Sequence, residues 1–488
     1  MATEKSNVVS ISLIVESSSS PSFFKFSFLS SEKQVAVIVF VICIILRTLP
    51  ELAAYPIPIG YDVVNYYIPN VLNFQENWSI LSNQFPLYII LLYSLRMATG
   101  LAPSAVVTSA AVTVAGIFGV ALFYLGRTLF RLHIKQSVFL AIFTVLQMAI
   151  LRTFWDLHRD VLALTTMIFL FSILGREGNK GWRMLSLTLA LTAVTVAADR
   201  MIGALLCVSL VANLIITKNK DQALPTIVAL SLFSILIVTS YQPSYQGMSN
   251  TVKGESGNSA PTFYNQANLI IYFLVVNCLL FVPGIIGFLR LQNHLLKIPL
   301  LVTLVGSFSW LAFPENSLLV ADRWIILSGI FLSIFGGYGF LCLFKLLKPN
   351  LYAIFACSVL VGFGVIGMGY ALMPHDSPFI LYGVARNYTT YFAPVTMQFN
   401  SLDIEDNENL LKTIKEINEK TEYNAVIVGE PYWRGYMELY LKGDRTYHFS
   451  NDPNALSLAL LRQGYQVYLI EAQGDHQTSF NIQSIQKR

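Results

Sequence analysis

Apolar runs long enough to approach the ~20 residues of a membrane crossing recur along the chain, separated by short polar stretches. They predict transmembrane helices near 34–50, 103–125, 137–152, 161–175, 184–198, 201–217, 224–240, 269–289, 298–313, 324–344 and 352–373, about eleven spans. A shorter run, "PLYIILLYSLRMA" from Pro86 to Ala98, cannot cross ~30 Å of hydrocarbon at 1.5 Å per residue. It reads as a helix lying on the membrane surface, begun by Pro86. Before it, Val63, Tyr66, Tyr67, Val71 and Phe74 share one helical stripe, with Asp62 placed as its N-cap and Pro69 as a kink. The loop 51–102 thus becomes two interfacial helices around an acid.

Beyond residue 373 the pattern changes. "NENLLKTIKEINEK" has helical spacing, "NAVIVG" and "YQVYLI" read as short strands, and "PYWRGYMELYLKG" and "ALSLALLRQG" read as helices. The order helix, strand, helix, helix, strand predicts a small α/β sandwich with a partly parallel sheet. It holds no Gly-rich phosphate loop, and the acidic "DIEDNE" reads as a solvated helix start. The expected organisation is a disordered cytoplasmic tail at 1–33, a transmembrane bundle at 34–373, and an extracytoplasmic linker and small α/β domain at 374–488.

Composition agrees with the pattern. The chain is 55% hydrophobic and 12% charged, with a mean hydropathy of +0.58, which excludes a soluble globular protein of this length. A net charge of +4 is too small to argue for nucleic acid as a partner. The distribution of charge says more than its sum. Arg127, Arg131, Lys135, Arg176, Lys180, Arg183, Lys218, Lys220, Arg290, Lys297, Lys345 and Lys348 fall in alternate loops, which the positive-inside rule makes cytoplasmic. The N-terminus is then inside, and everything after residue 373 outside, in a multi-pass plasma-membrane protein. Sequons at Asn77 and Asn387 both fall in segments placed outside. All five cysteines lie within apolar runs without metal-ligand spacing.

The outer loops collect the chemistry. Beside Asp62 stand "LRTFWDLHRD", with Arg152, Asp156, His158, Arg159 and Asp160; "AADRM", with Asp199 and Arg200; and "VADRW", with Asp322 and Arg323. Charges this close to a bilayer face water, pair, or bind something. Taken singly, each Asp-Arg pair reads equally well as a helix end satisfying its cap; together they suggest a polar cavity at the outer leaflet. A carboxylate on one side and arginine forks on the other suit transfer of a group away from a phosphate. Asp62 read as a plain N-cap is the competing assignment. The same charges would also serve a lipid or sugar-lipid transporter, or a scaffold without catalysis, but no internal repeat accompanies them and they sit at loop ends rather than at mid-helix.

The first crossing, the aspartate-bearing outer loop with its surface helices, the span ending in "LFYLGRTLFRL", the acidic second loop and the C-terminal extracytoplasmic domain together resemble GT-C-type membrane glycosyltransferases. Among these the resemblance is to polyprenyl-phosphate-sugar enzymes related to protein mannosyltransferases and lipid A aminoarabinose transferases. It covers residues 34–217 by motif and the remainder by architecture. "PLYIILLYSL" departs from the commoner double-proline form, and the second acid is either Asp156 or Asp160. The resemblance implies inverting transfer of a sugar from a polyprenyl-phosphate donor in the bilayer to a hydroxyl or amine of a glycan, lipid or protein acceptor. Asp62 takes the part of the base. Arg323 leads the arginines for the donor phosphate, followed by Arg200, Arg152 and Arg159, with His158 assisting. Tyr61, Tyr66 and Tyr67 line the substrate or belong to the interfacial aromatic belt. Some members of the superfamily hold a divalent metal between two acids, here Asp62 and Asp156; no other cofactor is expected.

Overall fold

A computed structural model describes residues 31–74, 86–175, 181–218, 222–240, 263–312, 314–373, 397, 404–430, 433–450, 452–473 and 479–485. The predicted tail, both sequons and part of the basic loops lie outside these residues. The chain is mainly α-helical, a bundle of apolar helices with a small α/β unit at its C-terminal end.

Each of the eleven predicted segments contains a helix. The first, α1 (Glu32–Ala54), starts where Ser31 accepts a hydrogen bond from the Gln34 N–H and Glu32 sits in the first turn, a favourable place for negative charge. Among the described residues, six helical stretches are long and apolar enough to cross a membrane: α1, Pro103–Thr128, Arg200–Thr217, Leu269–Arg290, Arg323–Phe344 and Leu351–Leu372. Shorter apolar helices at Trp182–Ala198, Ala223–Thr239 and His294–Ser307 fill other predicted positions.

The predicted span at 137–152 is not one straight helix. It is α5 (Ile134–Val145) and α6 (Met148–Asp156), bent by 61°. The Gln147 side-chain amide donates to the Phe143 carbonyl at 2.8 Å, a side chain satisfying a carbonyl at the break. Every residue of α6 is buried, including Arg152, Thr153 and Asp156, so the bend carries polar groups into the bundle rather than along its surface.

With Leu87–Thr99 as α3, Pro103–Thr128 as α4 and Ile68–Leu72 as α2, the outer loop does form two helical pieces. The first is unusual. Val63–Tyr67 is a π-helical turn, closed by the Ile68 N–H on the Val63 carbonyl, and it runs directly into α2. Pro69 has no N–H to offer an α-helical ladder, and the wider turn immediately precedes it. The predicted stripe packs as expected: Val63, Tyr67, Val71 and Phe74 are buried with Tyr88, Ile89 and Leu92 of α3. Arg96 of α3 ties the two pieces by donating to the Val71 carbonyl at 2.8 Å. Gly100, in the left-handed region at φ +68°, ends α3.

Two further helices frame the site: α7 (His158–Leu174), which follows α6 after one residue, and α9 (Arg200–Thr217), which follows α8 (Trp182–Ala198). A long helix between α9 and the C-terminal unit, Pro314–Phe344, is the central one; most of its apolar stretch is buried inside the bundle.

The C-terminal unit has two more strands than the sequence pattern disclosed. Strands β1 (Val426–Gly429), β2 (Thr446–Phe449), β3 (Val467–Gln473) and β4 (Ser479–Ile485) form a sheet in the order β2-β1-β3-β4. β1 pairs parallel with both β2 and β3, and β3 pairs antiparallel with β4. β2 and β4 are the edges, and an edge strand with an exposed face carries little hydrophobic signal; in "TYHF" none of the four residues is buried. Helix Ile404–Lys420 covers the sheet with Leu410, Ile414 and Ile417. The same core takes in Ile57 and Val64 of the outer loop, so the unit sits directly on the segment that carries Asp62.

Candidate active site

Asp62 stands where the sequence places it, immediately before the helical turn, but it does not act as the predicted cap. Its own backbone is already helical (φ −65°, ψ −26°), and its side chain accepts nothing from the N–H groups that follow. An N-cap needs an extended backbone to turn its side chain back onto the helix end. The carboxylate is therefore not consumed by its own turn.

Gly60 brings the loop against α6. Its φ is +103°, a region that side chains disfavour, and a Cβ there would run into the Trp155 carbonyl oxygen and come within 3.3 Å of the Asp156 Cβ. Only glycine lets the two chains approach so closely, and Asp62 is two residues on. Asp62 keeps partial exposure. Burial nonetheless pushes its pKa above the ordinary carboxylate value, against the pull of Arg159, Arg323 and Arg152, in that order of strength. Three guanidinium groups thus act on one carboxylate.

The arginines are not equivalent. Arg152 forms a buried ion pair with Asp156 one turn along α6 and lies over the Trp155 ring at 4.5 Å. Arg159 lies over the Tyr66 ring at 5.2 Å, and its backbone N–H donates to the Tyr67 hydroxyl at 3.4 Å. Arg323 is half-buried and makes no ion pair within 4 Å among the described residues; Asp160, Asp199 and Asp62 are the carboxylates that act on it. Arg200 is exposed at the first position of α9. Nothing is described of the Asp322 side chain.

The acids divide into two sets. Asp156 is engaged with Arg152 and feels the charge of Asp62. Asp160, at the start of α7, feels the charge of Asp199. Asp199 also caps α9, accepting from the Met201 and Ile202 N–H groups at 2.8 and 3.0 Å, which realises the helix-end reading of the "AADRM" motif. Among the described residues no three His, Cys, Asp or Glu side chains gather as a metal-binding group. Asp156 feels the charge of Asp62, and arginines act on both carboxylates.

His158 is buried and stacks on Tyr67, with ring centroids 5.1 Å apart and planes within 5°, while Tyr88 meets it edge-on. Tyr67 is buried in the same cluster, Tyr66 is partly buried, and Tyr61 is exposed. Burial raises the phenol pKa values of Tyr66 and Tyr67, so both hydroxyls keep their protons and can donate.

Sequence reasoning passed over Tyr88, Asn65 and the pair Arg47–Glu51. Arg47 is almost fully buried in the C-terminal half of α1, with Glu51 at 2.7 Å one turn on. A charged pair at i, i+4 inside the first apolar run was the available signal.

No protein-family model matches the sequence, and no curated protein matches it either. Among solved structures, the chain is similar to ArnT from Cupriavidus metallidurans bound to undecaprenyl phosphate, with a TM-score of 0.47 and 12% sequence identity over 92% of this chain and 93% of that one. At that TM-score and identity the likeness assigns this chain no activity and transfers no residue's role.

Proposed function

We propose that the protein is a membrane glycosyltransferase that moves a sugar from a polyprenyl-phosphate donor to an acceptor hydroxyl or amine on the extracytoplasmic face, with inversion and with Asp62 as base. The observation that carries this reading is the state of Asp62: a carboxylate on a loop that Gly60 brings against α6, not used as a cap, and within electrostatic reach of Arg159, Arg323 and Arg152.

The chemistry follows from that juxtaposition. In an inverting displacement the acceptor oxygen or nitrogen forms its bond to the anomeric carbon as the bond to the donor phosphate breaks, and the acceptor's proton passes to a base on the attacking side. Asp62, with its pKa raised by burial, is a better proton acceptor than a solvated aspartate. The departing phosphate needs positive charge already in position, because preorganised donors stabilise developing charge without reorganising. Arg323 is the best placed to serve it: Arg152 is committed to Asp156 and Arg159 to the Tyr66 face, whereas Arg323 pairs closely with no described carboxylate. Asp156 then holds Arg152, and Asp160 with Asp199 shapes the arginine side of the site. Several long apolar helices make this a multi-pass membrane protein, consistent with a donor that lies in the bilayer.

The experiment is a product analysis. Membranes containing the protein, given a panel of polyprenyl-phosphate sugars, should release polyprenyl phosphate and place sugar on an acceptor. Sugar lipid that only changes leaflet, chemically intact, would make the protein a transporter.

A further inference from the structure

The C-terminal unit grips the segment around Asp62 from both sides. Ile57, five residues before Asp62, and Val64, two residues after it, are both buried in that unit's own core, in one cluster with Trp433, Tyr436 and Met437. The helix Arg434–Tyr440 meets the π-helical turn so tightly that a Cβ on Gly435 would run into the Val64 carbonyl and stand 2.6 Å from its Cγ1. Asn65 completes the grip. Its Oδ1 accepts from the Gly435 N–H at 3.4 Å, and its Nδ2 donates to the Tyr61 carbonyl, immediately before Asp62, at 3.3 Å. One side chain therefore links the C-terminal helix to the peptide unit that leads into Asp62.

We propose that the C-terminal unit is the positioning element for Asp62, with Asn65 and Gly435 as its positioning residues. The inference rests on the reading of Asp62 as base. A π-helical turn costs its chain ordinary α-helical hydrogen bonding and persists where surrounding packing dictates it. Here the packing comes from the shared core and from Asn65, which satisfies a carbonyl at the start of the turn. The unit's role is then to fix the geometry of a catalytic loop, and a displacement of about 1 Å at such a loop can cost on the order of a hundredfold in rate.

Two variants of the full-length protein in detergent test this, Gly435→Ala and Asn65→Leu, each compared with wild type by hydrogen–deuterium exchange and by turnover of whichever polyprenyl-phosphate sugar the wild type uses best. The expected result is exchange about tenfold faster in the peptide spanning 61–72, with β1 and β3 unchanged. Turnover should fall by about ten- to a hundredfold in kcat while the donor KM stays within about twofold. Asn65→Asp, which keeps the acceptor for Gly435 but loses the donor to Tyr61, should fall between. If Gly435→Ala does not fold, Asn65→Leu decides. Unchanged exchange and kcat in Asn65→Leu, or exchange raised equally in the sheet, would overturn the proposal. Wild-type protein that turns over no sugar lipid would instead remove the glycosyltransferase reading, and the exchange data would still report whether the unit holds the loop.

Discussion

Asp62→Ala should cost the protein little stability. Removing a working N-cap costs about 0.5–2 kcal/mol, but the Asp62 side chain caps nothing, so no such loss is expected. The sign of its pH linkage points the same way. Burial raises the Asp62 pKa in the folded chain, whereas the unfolded chain ionises near the ordinary value of about 3.9. Between those two values the folded state binds more protons, and stability falls as pH rises through the window. At neutral pH the ionised carboxylate therefore costs stability, and Asp62→Asn should melt at the same temperature as wild type or higher. Catalysis runs the other way. A base works ionised, so transfer should fall as pH drops through the raised pKa, with an acid limb lying above the ordinary carboxylate range; a limb at the ordinary value would mean that another group titrates. For the phosphate side, Arg323→Ala should weaken donor binding by about 1.5–3 kcal/mol, and Arg323→Lys should recover only part, because the planar fork is lost. Unchanged affinity for the donor in Arg323→Ala would move the phosphate contact to Arg159 or Arg152.

The outer loop shows how far local pattern reaches. The apolar stripe from Val63 to Phe74 and the helix begun after Pro86 were legible, because burial of one helical face leaves a period in the sequence. The π-helical turn and the idle cap were not, since both depend on what packs against the loop from residues more than 350 positions away. The 61° bend between α5 and α6 was hidden for a different reason: no Pro or Gly marks the break, and the Gln147 side chain satisfies a carbonyl there. In the C-terminal unit the buried strands β1 and β3 announced themselves, while edge strands β2 and β4 did not. Gly60 is the element-scale test of the loop. Gly60→Ala meets both a disfavoured φ and the Val63 Cγ2 at 2.9 Å, so the loop must retreat from α6. The strain is worth about 1–3 kcal/mol. Transfer should drop while the protein still inserts, measured by turnover and melting of purified protein; wild-type turnover would show that the approach to Trp155 is dispensable.

At the scale of the whole molecule, we propose from the basic loops that the C-terminal unit and Asp62 share one side of the membrane and the basic loops the other. In a background lacking the five native cysteines, Tyr423→Cys in the C-terminal unit should label in intact cells with an impermeant thiol reagent, and Lys135→Cys, in the first turn of α5, should label only after permeabilisation. Both positions are exposed, so access to the reagent is set by the membrane and not by packing. Labelling of both from the same side would reverse the topology. The arrangement also explains why the small sheet accompanies a membrane bundle: its core is completed by two residues of the loop that carries the proposed base.

The most direct test of the account is the transfer rate of Asp62→Asn beside that of wild type, measured as polyprenyl phosphate released and sugar placed on acceptor. Asparagine preserves size and removes the proton-accepting oxygen, so transfer should fall by about two to four orders of magnitude, with insertion and donor binding retained. An Asp62→Asn protein that is correctly inserted and transfers sugar at the wild-type rate would contradict the assignment of Asp62 as base.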